Sequence, residues 1–234
     1  MKRQRTAWWF PHLCTALLWV SGAAWSQPQP WATTEAMLLD DPTAALQATE
    51  RQLRQARASG QADATFWAAL AQARVLISLE DSARRTQALM QARDVLGQLH
   101  GSGAQAGLWL HTVQALSDVR ENPNRSMVAR LEELRRQARA LGRRDLLCEV
   151  DAVDMWSMLA SGSSDEAWNA AQASYQCAVR EGSLSLELDA LTQLGSLASR
   201  VGGRTAKENE AEAYLLRALA RLGDLPARFQ RSLI

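Results

Sequence analysis

The residues best suited by type to chemistry are the paired carboxylates Asp40-Asp41 and Glu132-Glu133, the histidines His12, His100 and His111, and the cysteines Cys148 and Cys177. Two carboxyls about 5–10 Å apart across a sugar could run glycoside hydrolysis. The surrounding residues favour other roles. Asp41 precedes Pro42, which suits a helix N-cap followed by a proline pre-set for the first helical position. Glu132 stands four residues before Arg136, as Glu50 stands before Arg54, an ion-pair spacing that supports a solvated helix surface. A metal centre needs three or four converging ligands, and no cysteine or carboxylate stands at ligand spacing from His100 or His111. A phosphate-cradling glycine loop, a His-Glu-x-x-His pattern and a nucleophile-elbow serine are all missing from the sequence, and Gly202-Gly203 reads as a loop between helices. These residues predict no catalytic group, no metal and no cofactor.

The cysteines carry a geometric signal. The midpoint of Cys148 and Cys177 falls on Ser161-Gly162-Ser163-Ser164, so two antiparallel helices folded at that turn bring both sulfurs to the same height. In an oxidising compartment they form a disulfide if the side chains face one another, closing a loop of about 30 residues worth on the order of 3 kcal/mol. If the side chains do not meet, they are two separately buried thiols. The sequence leaves both outcomes open.

The elements that position these residues are set by a ladder of glycines. Gly60, Gly103, Gly142, Gly182 and Gly223 recur at intervals of 43, 39, 40 and 41 residues. Each is expected to close a leading helix and open a trailing one. Helix starts are expected at Asp41, Asp63, Ser82, Ser126, Ser163 and Thr205, with Ser163-Glu166 and Thr205-Glu208 forming capping boxes. The first helix carries a single apolar stripe, Ala45, Leu46, Thr49, Leu53 and Ala56, whereas the next, with Phe66, Trp67, Leu70, Ala71, Ala73, Leu76 and Ile77, is apolar over a broader face and is expected to be the more buried. The position four before each glycine is small or apolar throughout: Ala56, Leu99, Ala138, Ala178 and Leu219. A fixed period with a fixed apolar position predicts stacked helical hairpins. The expected class is all-α, a right-handed α-α superhelix of about four and a half antiparallel hairpins over residues 41–234. The last unit stops early, so Leu219, Leu222, Leu225, Phe229, Leu233 and Ile234 are expected to present an uncovered apolar end open to self-association.

Before the helices, Lys2, Arg3 and Arg5 precede an apolar run from Leu13 to Trp25, the pattern of a secretory signal, with cleavage expected after Ser26 and a spacer over 27–40. That run of about 13 residues is short of the ~20 needed to span a bilayer. Cys14 precedes the run and is not placed to be a lipidated cysteine. The expected location is periplasmic or secreted, with no membrane span after cleavage. Loss of residues 1–26 removes three positive charges and leaves 23 basic against 25 acidic residues, a balance that argues against nucleic-acid binding. Trp67, Trp109, Trp156 and Trp168 fall at helix crossings and read as packing.

Paired helices with small crossing residues and glycine-marked turns resemble the tetratricopeptide repeat, although the period near 41 exceeds its usual ~34. The signal sequence, the spacer, Asp41-Pro42, Ala45-Leu46 and the long helical pairs together resemble the periplasmic sensory region of bacterial membrane-bound diguanylate cyclases over about residues 38–234. In that family further repeats lead to a transmembrane helix and a cytoplasmic domain with a GGDEF motif. This sequence contains neither, so the resemblance implies a sensory part without its catalytic domain. In tetratricopeptide-like stacks the leading helices line the concave groove. By that resemblance two polar rows, Glu50, Arg93, Glu132 and Gln172 in one and Arg54, Arg136 and Gln176 in the other, are candidates to bind a protein or peptide; otherwise they form an ordinary solvated face. The expected function is an exported, non-catalytic interaction module of a signalling protein. The alternatives are a helical-superhelix fragment of a cell-wall-acting enzyme or a stand-alone periplasmic adaptor.

Overall fold

The computed structural model describes residues 41–99, 101–122, 127–162, 164–201 and 206–223, together with Thr34, Met37 and Leu38. The expected signal at 1–26, most of the spacer, His12, His100, the caps Ser126, Ser163 and Thr205, and the apolar end at 224–234 lie outside these. The helices are α1 (Pro42–Ala58), α2 (Ala62–Ser78), α3 (Ser82–Leu96), α4 (Gly103–Glu121), α5 (Val128–Ala140), α6 (Arg144–Ser161), α7 (Ser164–Glu181), α8 (Leu184–Val201) and α9 (Ala206–Gly223). Among the described residues there is no strand, and the chain is all-α with a helical-repeat character.

Local chemistry accounts for the helix starts, with two corrections. Asp41 caps α1 as expected, its Oδ1 accepting the Ala44 N–H at 2.9 Å. Asp63 is not a cap: α2 follows Gln61 without a side-chain cap, and Asp63 lies in the first turn, where a negative charge complements the free amides. Ser82 is likewise the first residue of α3 rather than its cap. Asp81 accepts the Arg84 N–H at 3.0 Å, because an aspartate one residue earlier reaches the same orphan amide. The Ser82 hydroxyl instead donates to Glu121 of α4 at 2.7 Å.

The glycine ladder marks helix ends through one recurrent bond pattern. Gly142 is left-handed at φ 63° and donates to Arg139, while Arg143 reaches back to the Ala138 carbonyl at 3.0 Å, the paired bonds of a Schellman cap. Gly60 and Gly182 are left-handed at the matching points. The second rung is displaced: Gly103 begins α4, and the left-handed residue is Gly101, so the turn glycines stand 41, 41 and 40 residues apart, more evenly than the expected ladder. Gly223 is the last residue of α9.

The same cap recurs after α2 with a different residue. Glu80, at φ 57°, donates to Ile77 at 3.2 Å and Asp81 donates to Leu76 at 3.1 Å. Here a Cβ sits in a conformation that costs a non-glycine residue about 1 kcal/mol. Glu80→Gly is accordingly expected to raise stability by about 0.5–1 kcal/mol, measured by urea unfolding; a loss would show that the carboxylate contributes more than the strain.

Helix packing sorts the chain into two sets. Each helix packs against its neighbours in sequence, and α2, α4, α6 and α8 also pack in a row against one another. Among the described residues α1, α3, α5, α7 and α9 have close backbone contact only with their chain neighbours. Side-chain size explains the division. Most of the large, wholly enclosed side chains, Phe66, Leu70, Leu76, Leu108, Trp109, Leu110, Leu146, Met155 and Leu191, come from the even-numbered row, the exceptions being Leu131 of α5 and Met127 just before it. The odd-numbered helices bury mainly small residues, such as Ala45, Ala56, Ala92, Ala138, Ala171 and Ala178, which allow close approach to that row. The expectation that the second helix is the more buried one holds for α2.

Candidate binding groove

The even-numbered row encloses a cavity of about 200 Å³ whose walls come from α2, α4, α6 and α8, with Thr34 and Leu38 contributing from the N-terminal side. Ala71, Val75, Leu116 and Val153 make it largely apolar. Four charged residues and one tryptophan break that apolar lining, and each makes a defined contact. Arg74 of α2 reaches Glu149 of α6 at 2.7 Å, with the Glu149 side chain 2 % exposed. The Arg120 guanidinium of α4 lies 3.6 Å from the centre of the Trp156 ring, a cation–π contact. The other polar end of that ring is also engaged, as the Trp156 indole N–H donates to Asp189 of α8 at 2.8 Å. These contacts lace all four helices of the row across one site.

Burial pushes the Asp189 carboxyl above its ordinary value of 3.8, partly offset by the Trp156 N–H and the Arg120 charge. Burial likewise holds the Arg120 pKa below its ordinary value, against the opposing pull of Asp189 and Glu80. A carboxyl with a raised folded-state pKa costs stability above that pKa, and the cost disappears as pH falls toward the unfolded value. Asp189→Asn keeps an acceptor for Trp156, so it is expected to stabilise the protein at neutral pH, with the advantage shrinking as pH is lowered into the ordinary carboxylate range. Stability curves for the two proteins that run parallel between about pH 7 and pH 4 would refute this assignment.

The polar rows expected from the sequence lie elsewhere. Glu50, Arg54, Arg93, Glu132, Arg136, Gln172 and Gln176 are all on the odd-numbered helices, whereas the cavity is walled by the even-numbered ones. The structure brings two of them together: Glu50 and Arg54 line a polar cleft of about 290 Å³ with Arg57, Gln72, Arg84 and Gln91, and Glu50 pairs with Arg84. Glu132 pairs with Arg135 at 3.0 Å, and Arg136 is exposed and bonded to Glu133. Arg93 and Gln176 are exposed and Gln172 is partly buried, none of them on a wall of the cavity. Arg135 itself bridges to Asp151 and Asp154 of α6. Burial works against its charge, but the bonds and charges of these two carboxylates outweigh it and hold its pKa above the ordinary value.

Cys148 and Cys177 are joined in a disulfide between α6 and α7, Cα–Cα 5.3 Å. It is enclosed by Ala152, Ala178 and Leu186, of which Ala152 and Leu186 also line the cavity. His111 lies at the surface, and partial desolvation of its ring together with the Arg130 and Arg93 charges holds its pKa below the ordinary value. Among the described residues no group of three or more His, Cys, Asp or Glu side chains could hold a metal, and no helix is long and apolar enough to cross a membrane.

Sequence reasoning assigned the tryptophans to packing. Trp109 is wholly buried and fits that role, as does Trp168, set edge-on to Tyr214 at 5.8 Å. Trp156 also serves the cavity. A signal was present: Arg74 and Trp156 each stand fourteen residues after a turn glycine, and Glu149 and Asp189 each stand seven after one, polar positions on otherwise apolar helices.

No protein-family model matches the chain, and no curated protein matches it.

Proposed function

We propose that this chain is an exported, non-catalytic interaction module, a tetratricopeptide-like right-handed superhelix that holds a protein or peptide segment in the groove of its even-numbered helices and acts as the sensory part of a bacterial signalling protein. The observation that carries the reading is the cavity with Arg74, Glu149, Arg120, Trp156 and Asp189 at its walls. Its volume is below the ~300–1000 Å³ of most small-molecule pockets, a size that suits one or two side chains of a docked segment. An apolar lining interrupted by two cations and two carboxylates provides side-chain burial together with hydrogen bonds to a backbone.

Peptide display against the immobilised protein tests the groove. Selected peptides are expected to lose at least tenfold in affinity, about 1.4 kcal/mol, when Arg120, a wall residue that also reaches solvent, is changed to Glu. Peptides that bind Arg120→Glu as well as the parent would sink the reading. Export is tested separately by a C-terminal alkaline phosphatase fusion, expected to be active only if residues 1–26 are present; activity without them, or none with them, would overturn it.

A further inference from the structure

We infer that the polar cleft between α1 and α3 is a second binding site, one that takes a phosphate group, either as the free ion or as the monoester of a small hydroxylated molecule. It shares no lining residue with the cavity of the even-numbered row. The cleft follows from how its helices pack. α1 and α3 each lie against α2 and have no close backbone contact with one another, so side chains rather than backbone border the space between them. On α1 these are Glu50, Leu53, Arg54 and Arg57, spaced i, i+3, i+4 and i+7 along one helical face. α3 repeats the spacing with Arg84, Gln87, Ala88 and Gln91, and Gln72 of α2 adds a third carboxamide. Leu53 and Ala88 are buried, so each stripe is fixed to the core by its apolar member. The charges within the cleft do not balance. Arg84 is paired with Glu50 and stands 3.8 Å from Asp81. Arg54 and Arg57 have no carboxylate partner among the described residues, which leaves two guanidinium groups uncompensated on one wall. The whole chain carries 26 basic and 25 acidic residues, so this excess reflects placement rather than composition. A phosphate monoester carries about −1.5 to −2 at pH 7 and presents three acceptor oxygens. It therefore matches two guanidinium forks, each able to donate two parallel N–H bonds. The three carboxamides donate to oxygen and accept from hydroxyls, so the remainder of a small ester also finds partners. At about 290 Å³ the cleft stands at the lower edge of the ~300–1000 Å³ of small-molecule pockets, a size that fits a compact ester.

Isothermal titration calorimetry of the full chain with inorganic phosphate, glycerol 3-phosphate and succinate tests the site. In about 0.1 M salt, where exposed charges beyond ~10 Å are largely screened, at least one of the two phosphates is expected to bind one to one with a dissociation constant of about 1 mM or tighter. Tighter binding of glycerol 3-phosphate identifies an ester as the ligand, and tighter binding of inorganic phosphate identifies the free ion. Arg54→Gln and Arg57→Gln, both exposed and conservative in length, are each expected to weaken that binding at least tenfold. Arg180→Gln removes the same charge from the exposed last turn of α7, away from the cleft lining, and is expected to leave binding within about twofold of the parent. Three results would overturn the inference: no binding of either phosphate, an equal loss in Arg180→Gln and Arg54→Gln, or succinate binding as tightly as the phosphates, which would assign the cleft to carboxylates.

Discussion

Replacing Cys148 and Cys177 together by alanine is expected to lower stability by about 3–4 kcal/mol, since the bond closes a loop of 29 residues and removes the corresponding freedom from the unfolded chain. For a folded region of this size that corresponds to a fall in thermal midpoint of roughly 7–14 °C. The sulfurs sit in an apolar pocket with Ala152, Ala178 and Leu186, and both cysteines are nearly inaccessible. Reductant is therefore expected to act on the native protein only at the rate at which α6 and α7 open. A midpoint shift below about 3 °C would show that the bond adds little beyond the packing already present. Alkylation of unfolded, unreduced protein provides an independent check, because a gain of alkyl groups at both positions would rule the bond out.

Arg74→Met is expected to cost about 3 kcal/mol, the low end for breaking a buried ion pair. It withdraws a cation from Glu149 while that carboxylate remains enclosed between α2 and α6. The lower end applies because Arg74 is 13 % exposed and both residues have further contacts. Arg74→Met combined with Glu149→Leu is expected to recover most of that loss, since a well-packed apolar pair of similar volume removes the desolvation penalty of both charges. Urea unfolding of the parent, both single variants and the double variant gives the coupling energy, expected near 2 kcal/mol. Additive losses would mean that Arg74 and Glu149 act independently across the cavity. The double variant should fold yet bind groove peptides poorly, which separates the pair's role in stability from its role in recognition.

The helices themselves were legible because their signals are local. Asp41 caps, Pro42 begins α1, and Gly60, Gly142 and Gly182 close helices by bonds that span no more than five residues. The errors were local too: Asp63 and Ser82 are each displaced from the capping position they were given, and Gly103 stood in for Gly101, two residues away. Periodicity tolerates such slips, since a helix shifted by one or two residues presents almost the same apolar face. The height match of Cys148 and Cys177 was also available, being a property of one turn flanked by two helices.

The groove was of another kind. Its contacts join residues far apart in sequence, Arg74 to Glu149 over 75 positions and Trp156 to Asp189 over 33, so no window along the chain contains them. A helix with a broad apolar surface can equally be a buried wall or the lining of a cavity, and Trp156 has the composition of either. By itself the sequence determined the all-helical class, the near-41-residue period, several helix ends to within a residue or two and the equal height of the two cysteines, while leaving their pairing open, because hydrogen bonds within a turn and the 3.6-residue repeat are encoded by neighbours. Only the tertiary structure decided that the even-numbered helices form the continuous row, and that Arg120, Trp156 and Asp189 meet within it. That outcome depends on the summed volumes of large side chains on one set of helices and alanines on the other, a balance struck across the whole chain.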